Sequence, residues 1–243
     1  MKIIVYDGTF QGFLTVVFDY YKKLGKIKIE KYTDQLSFLE SIYVKTDQTK
    51  AGRVEKSLKG NISNSFFLDV KRAFKSFHKN KDTIIARLIK LVFIKEVYII
   101  NSANKYAIEF RKMLKNYDLE AHALKGLLRF REIQDGFLFA QYESNNFILE
   151  DLSKHFLKRM PREKFIIYDK NRNVAFVSIY GNIEVVDIVN LDIKDSDEEE
   201  FFKSLWIGFY DSVVIKEREN KKLMILNMPK KYWKYLPEKN RIK

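Results

Sequence analysis

The chain has no cysteine in its 243 residues. That absence removes disulfides, thiolate nucleophiles, iron–sulfur clusters and cysteine-based zinc sites together, and it fits a reducing compartment. Proline and glycine are scarce, at 3 and 9 residues, so neither a disordered chain nor a glycine-rich phosphate loop is expected. Long apolar runs are missing too. The first, at residues 3–6, is too short for a secretory signal. The longest apolar stretch, 83–100, carries Arg87, Lys90, Lys95 and Glu96, which argues against a membrane span. G-x-G-x-x-G, Walker A, H-E-x-x-H and G-x-S-x-G motifs are all absent, which excludes a nucleotide-driven motor, a zincin and an α/β-hydrolase. A cytoplasmic protein without metal or cofactor is expected.

What is present is charge and rings. The net charge is +13, from 45 basic and 32 acidic residues. By segment it is +9 over 1–100, −3 over 101–200 and +7 over 201–243. A basic protein attracts polyanions, nucleic acid first. The competing reading is a solvated lysine surface, because 34 of the 45 bases are lysine and phosphate sites favour arginine. Aromatics make up 15% of the chain, with 20 Phe and 14 Tyr, so the core must rest on ring packing.

Periodicity divides the chain into elements. Residues 2–6 predict a strand ended by Asp7-Gly8, followed by a helix that Thr9 caps. Strands are expected at 26–32 and 41–45. From 47 to 117 the spacing is helical, with Asp47 and Asp82 as caps. Strands at 127–133 and 137–142 should form a hairpin across 134–136. A helix at 149–160 precedes a meander at 165–168, 174–180 and 183–188. Ser196 and Glu199 predict a capping box for a helix that buries Phe202, Leu205, Trp206, Phe209, Tyr210 and Val213. The fold class is α+β: a helical N-terminal and middle region packed with a C-terminal antiparallel sheet flanked by helices. One domain over 1–243 is expected, with sub-lobes at 47–120 (helical) and at 1–46 with 121–243 (α+β).

Chemistry concentrates in 121–172. This stretch holds two of the three histidines, with five arginines and five lysines among seven carboxylates. His155 and Arg159 are four apart on a helix and share one flank, where a histidine can donate to phosphate and an arginine can grip it. His122, Lys125, Arg129 and Arg131 make a second basic group, the two arginines on one face of the expected strand. Either group equally fits a solvated or salt-bridged surface. The C-terminal MPKKYWKYLPE mixes lysines with aromatics, as single-stranded nucleic-acid binders do; core closure by its rings is the stronger reading. The acidic run 195–200 suits a helix N-terminus better than a metal.

Six stretches together resemble a known family. They are YDGTFQGFLTVVF at 6–18, KGLLRFRE at 125–132, HFLKR at 155–159, FIIYDKNRNVA at 165–175, LWIGFYDSVVIKEREN at 205–220 and MPKKYWKYLPE at 228–238. They resemble the uncharacterised bacterial family labelled "probable DNA metabolism protein". Its members are encoded beside a radical-SAM protein assigned to DNA modification or repair, and related domains occur fused to a uracil-DNA glycosylase. Lacking cysteine, this chain cannot be the radical-SAM enzyme itself. The resemblance implies an accessory protein that binds DNA or positions it for that partner. Two alternatives stay open. One is a hydrolase or transferase acting on a nucleotide or damaged base, with His122, His155, Tyr168 and Asp169 as acid–base candidates. The other is a non-enzymatic adaptor. Lys125, Arg129, Arg131, Arg159, Arg172 and Arg218 are the anion-binding candidates. Tyr6, Asp7, Tyr210 and Asn220 are further family-like positions.

Overall fold

A computed structural model describes residues 2–33, 40–215 and 218–240. The chain divides into two compact units, 1–118 and 119–243.

In the first unit, β1 (Lys2–Tyr6) is the middle strand of a parallel sheet, between β2 (Ile27–Lys31) and β3 (Ser41–Tyr43). A central parallel strand is covered on both faces, so Ile4, Val5 and Tyr6 are all buried. Helix α1 (Phe10–Tyr20) follows directly. The Thr9 hydroxyl accepts the Gly12 N–H at 2.9 Å, capping it as expected. Asp47 likewise caps α2 (Gln48–Ser57), accepting from the N–H groups of Thr49 and Lys50. A π-helical stretch (Leu58–Ile62) leads to α3 (Asn64–Phe74), which Ser63 caps. Helix α4 (Lys81–Lys95) buries Ile85, Leu88, Ile89 and Val92 in one core with Ile4, Phe13, Phe66 and Phe110. Asp82 does not cap α4. It lies inside the first turn, buried, and accepts the Tyr6 hydroxyl.

Helix α5 (Lys105–Leu127) carries the boundary between the units. In the second unit β4 (Arg131–Ile133) and β5 (Phe137–Tyr142) form the expected hairpin. The order is β4–β5–β6–β7–β8, with β6 at Lys164–Asp169, β7 at Val174–Ile179 and β8 at Asn182–Asp187. The expected meander is β6–β7–β8, all antiparallel. The α+β class holds, but the sheet is mixed, because β5 and β6 pair in parallel. Helix α6 (Leu149–Arg159) is the crossover that a parallel pair requires. A chain of edge-on rings, Phe156–Phe130–Phe165, fastens it to the sheet at centroid spacings of 4.9 and 6.0 Å.

Three further expectations are corrected. The strand expected at 127–133 begins only at Arg131, because α5 continues through Leu127. The capping box at Ser196 does not form. Glu199 opens α7 (Glu199–Ser212) but its carboxylate accepts the β4 backbone N–H of Glu132 at 2.6 Å. The apolar stripe of α7 is exposed rather than buried, with Phe202, Leu205, Phe209 and Val213 all facing solvent. A short helix, α8 (Lys221–Asn227), was not anticipated. In the C-terminal block Tyr232 and Leu236 are buried, so that block closes the core. Among the described residues no helix is long and apolar enough to cross a membrane.

Candidate functional site

The C-terminal end of α5 and the flank of α6 bring three of the sequence candidates together in the second unit. Helix α6 is amphipathic, burying Leu149, Leu152 and Phe156. That fixes its rotation and leaves His155 and Arg159 on the flank. His155 is half-buried, its ring edge-on to Phe156 at 4.9 Å. Its pKa lies below the usual histidine value. Partial burial is the first cause, followed by the positive charges of Lys125 and Arg159. Those two cations are therefore close enough to act on one imidazole. His122 lies three residues before Lys125 on α5, so it shares that face. It is solvent-exposed. Neither Lys125 nor Arg159, nor Lys158 and Arg162 beside it, pairs with a carboxylate among the described residues. Unpaired cations around a neutral imidazole make a surface whose field is unspent.

The other arginines of this stretch are bound to carboxylates. Arg129 donates to Glu238 at 2.8 Å, and the Trp206 indole donates to the second oxygen of the same carboxylate at 2.9 Å. The guanidinium also lies 5.1 Å from the Trp206 ring centroid. Burial raises the Glu238 pKa, but the bonds from Trp206, the backbone and Arg129 outweigh it and hold the carboxyl below its usual range. Arg131 pairs with Asp195 and lies over the Phe139 ring. Arg172 joins buried Asp169 at 2.9 Å and the Asn145 carbonyl at 2.6 Å. Asp169 also accepts from Tyr142 and from the Asn171 N–H. Burial, opposed by Arg172, leaves its pKa raised. Tyr168 is buried and donates to Asn173 at 2.7 Å. Of the acid–base candidates, Tyr168 and Asp169 are thus interior groups, while His122 and His155 reach the surface.

Tyr210, Arg218 and Asn220 line a separate cavity of about 750 Å³ between α7 and α8, with Lys239 over the Tyr210 ring. The Asn220 side chain caps α8 by accepting the Leu223 N–H. Tyr6 and Asp7 belong to the first unit. Tyr6 is buried against Phe13. Asp7 accepts from the Thr9 N–H and hydroxyl and from the Thr46 hydroxyl at 2.6 Å. Desolvation opposes its charge, but the Thr46 and Thr9 bonds prevail and lower its pKa.

Sequence reasoning missed two kinds of residue. Glu120 is buried and accepts from Lys231 at 2.7 Å and from the Asn145 and Asn146 N–H groups, ordering the loop before α6. Its partners are distant in sequence, so no local pattern marks it. Tyr180 is exposed at the tip of the β7–β8 hairpin. An aromatic immediately before a hairpin glycine was the available signal.

Residues 79–238 match the DUF4130 family, described as a domain of unknown function, and the chain belongs to that family. No curated protein matches the chain.

Proposed function

We propose that this DUF4130 chain is an accessory protein of DNA repair or modification. It binds DNA through the phosphates, at the face formed by His122, Lys125, His155 and Arg159. One observation carries the reading: Lys125 and Arg159 act on the same imidazole, and neither is neutralised by a carboxylate among the described residues. Phosphate contacts of this kind supply affinity without sequence discrimination, which suits a protein that presents DNA to another enzyme. The family resemblance supports a radical-SAM protein as that enzyme.

The test is fluorescence anisotropy with labelled DNA across a salt series. Each lost phosphate contact should reduce the slope of log K against log salt by roughly 0.7–0.9. Arg159→Ala and Lys125→Ala should each weaken binding and flatten that slope by about one contact. Wild-type affinity that does not change with salt, or no binding at low salt, sinks the proposal.

The adaptor reading has its own support in the exposed face of α7, where Phe202, Leu205, Phe209 and Val213 present contiguous helical apolar surface. Charged substitution of Phe209, which is 58% exposed, should then abolish co-purification with the radical-SAM partner while leaving DNA binding intact. A complex unaffected by that change would remove the adaptor reading.

A further inference from the structure

The β7–β8 hairpin turns through two residues, Tyr180 and Gly181, with Ile179 paired to Asn182. Both central residues have positive φ, 51° and 87°, as a type I′ turn requires. Asn, Asp and Gly are the residues that reach this conformation readily. A bulky residue there is strained. Tyr180 recovers none of that by packing. It is 65% exposed and has no hydrogen-bond or ring partner among the described residues. An exposed ring without a partner, on a strained backbone position, calls for an external contact.

Its surroundings indicate which contact. The register pairs Ile179 with Lys164 at the start of β6, so the turn lies at the same end of the sheet as the segment leaving α6. A Cβ on Gly181 would sit 3.8 Å from the Pro161 carbonyl oxygen. Arg159 lies two residues before Pro161 and Arg162 directly after it, both without carboxylate partners among the described residues. The turn that carries this exposed aromatic ring therefore lies against the segment that carries Arg159 and Arg162. Alternating cation and ring is the arrangement that binds single-stranded nucleic acid, with phosphates on the cations and a base on the ring. A duplex keeps its bases stacked and could use only the cations.

We infer that Tyr180 is a base-stacking residue, and that the nucleic acid held at Arg159 is single-stranded. This rests on the anion-binding reading above and adds to it a preference that phosphate contacts alone would not give. The test compares a fluorescein-labelled oligothymidine with a duplex of the same length. Wild type should prefer the single strand. Tyr180→Asn places the favoured asparagine–glycine pair in a type I′ turn, so the protein should be at least as stable as wild type. It should nonetheless lose roughly 5- to 150-fold in single-strand affinity, the range for one stacked base. Its duplex affinity should be unchanged, and Tyr180→Phe should retain single-strand binding. Arg159→Ala should weaken both substrates. If Arg159→Ala weakens binding and Tyr180→Asn does not, the stacking role is overturned and the phosphate reading stands. If wild type prefers the duplex, single-strand selectivity is wrong. If neither substrate binds, both readings fall.

Discussion

Arg129→Ala separates structural from functional charge. The Glu238 side chain is fully buried, and Arg129 itself is 22% exposed. Removing one partner of a buried ion pair costs about 3–5 kcal/mol, because the remaining charge is left desolvated. Here Trp206 still donates to the carboxylate at 2.9 Å, and the arginine reaches solvent, so the loss belongs at the lower end, about 3 kcal/mol. Urea unfolding followed by tryptophan fluorescence should show a lower midpoint with an unchanged slope. The pH dependence is a second check. Glu238 is held below its usual pKa, so its contribution is present above the unfolded carboxylate value and lost as pH falls through the folded one. The deficit of the variant should therefore be full at neutral pH and shrink in acid. Adding Glu238→Gln should recover much of it, since replacing both charges removes the stranded group. A variant with wild-type stability and reduced DNA affinity would refute the argument and return Arg129 to the binding face.

Other outcomes follow from particular groups. Asp82 is buried with one oxygen unpartnered, and burial lifts its pKa from 3.8 to about 6. Folding therefore takes up a proton between those values, and stability falls as pH rises through that window. At about 1.4 kcal/mol per unit, Asp82→Asn should stabilise the protein above pH 6 by up to about 3 kcal/mol. Equal denaturation midpoints for variant and wild type at pH 8 would contradict this. Burial is the first cause of the lowered His155 pKa, and phosphate bound between Lys125 and Arg159 should offset the part those two cations add and raise the pKa above its free-state value. DNA affinity should then rise as pH falls, with the full gain below the free-state value. NMR titration of the His155 ring, with and without oligonucleotide, reads both ends of the linkage. A Cβ on Gly12 would sit 2.2 Å from an Asp7 oxygen and 2.8 Å from the Thr46 hydroxyl. Gly12→Ala should therefore lower stability by about 1–3 kcal/mol, measured by thermal melting.

Local signals carried the elements well. Thr9 and Asp47 cap the helices they precede because a cap needs only its next three residues. The 134–136 hairpin and the meander were readable from turn residues between apolar runs. The parallel β5–β6 pairing was also within reach, since a helix between two strands implies a crossover. The exposure of α7 was not. A 3.6-residue apolar stripe tells which side of a helix is apolar, not whether anything covers it. Asp82 shows the same gap on the polar side: its position in α4 suggested a cap, while its burial depends on Tyr6, from β1.

The site was readable only where it is local. His155 and Arg159 are one helical turn apart, and their shared flank follows from the stripe between them. Arg129 and Arg131 look equally basic in sequence, yet their carboxylates lie 109 and 64 residues away. Segment charge does not mark the candidate face, for the same reason. The ends of the chain hold the excess and 101–200 sums to −3, yet Lys125, Lys158, Arg159 and Arg162, which have no carboxylate partner among the described residues, lie in that acidic segment. In the second unit the buried carboxylates Glu120, Asp169 and Glu238 each take a cation, namely Lys231, Arg172 and Arg129. These cations are fixed by the desolvated acids they accompany. Lys125 on α5, Lys158 and Arg159 on α6 and Arg162 in the turn after it are left without such acids among the described residues. On the function proposed above, a polyanion would respond to that remainder, whose sign and position are set by which carboxylates fold inward rather than by the net charge of the chain.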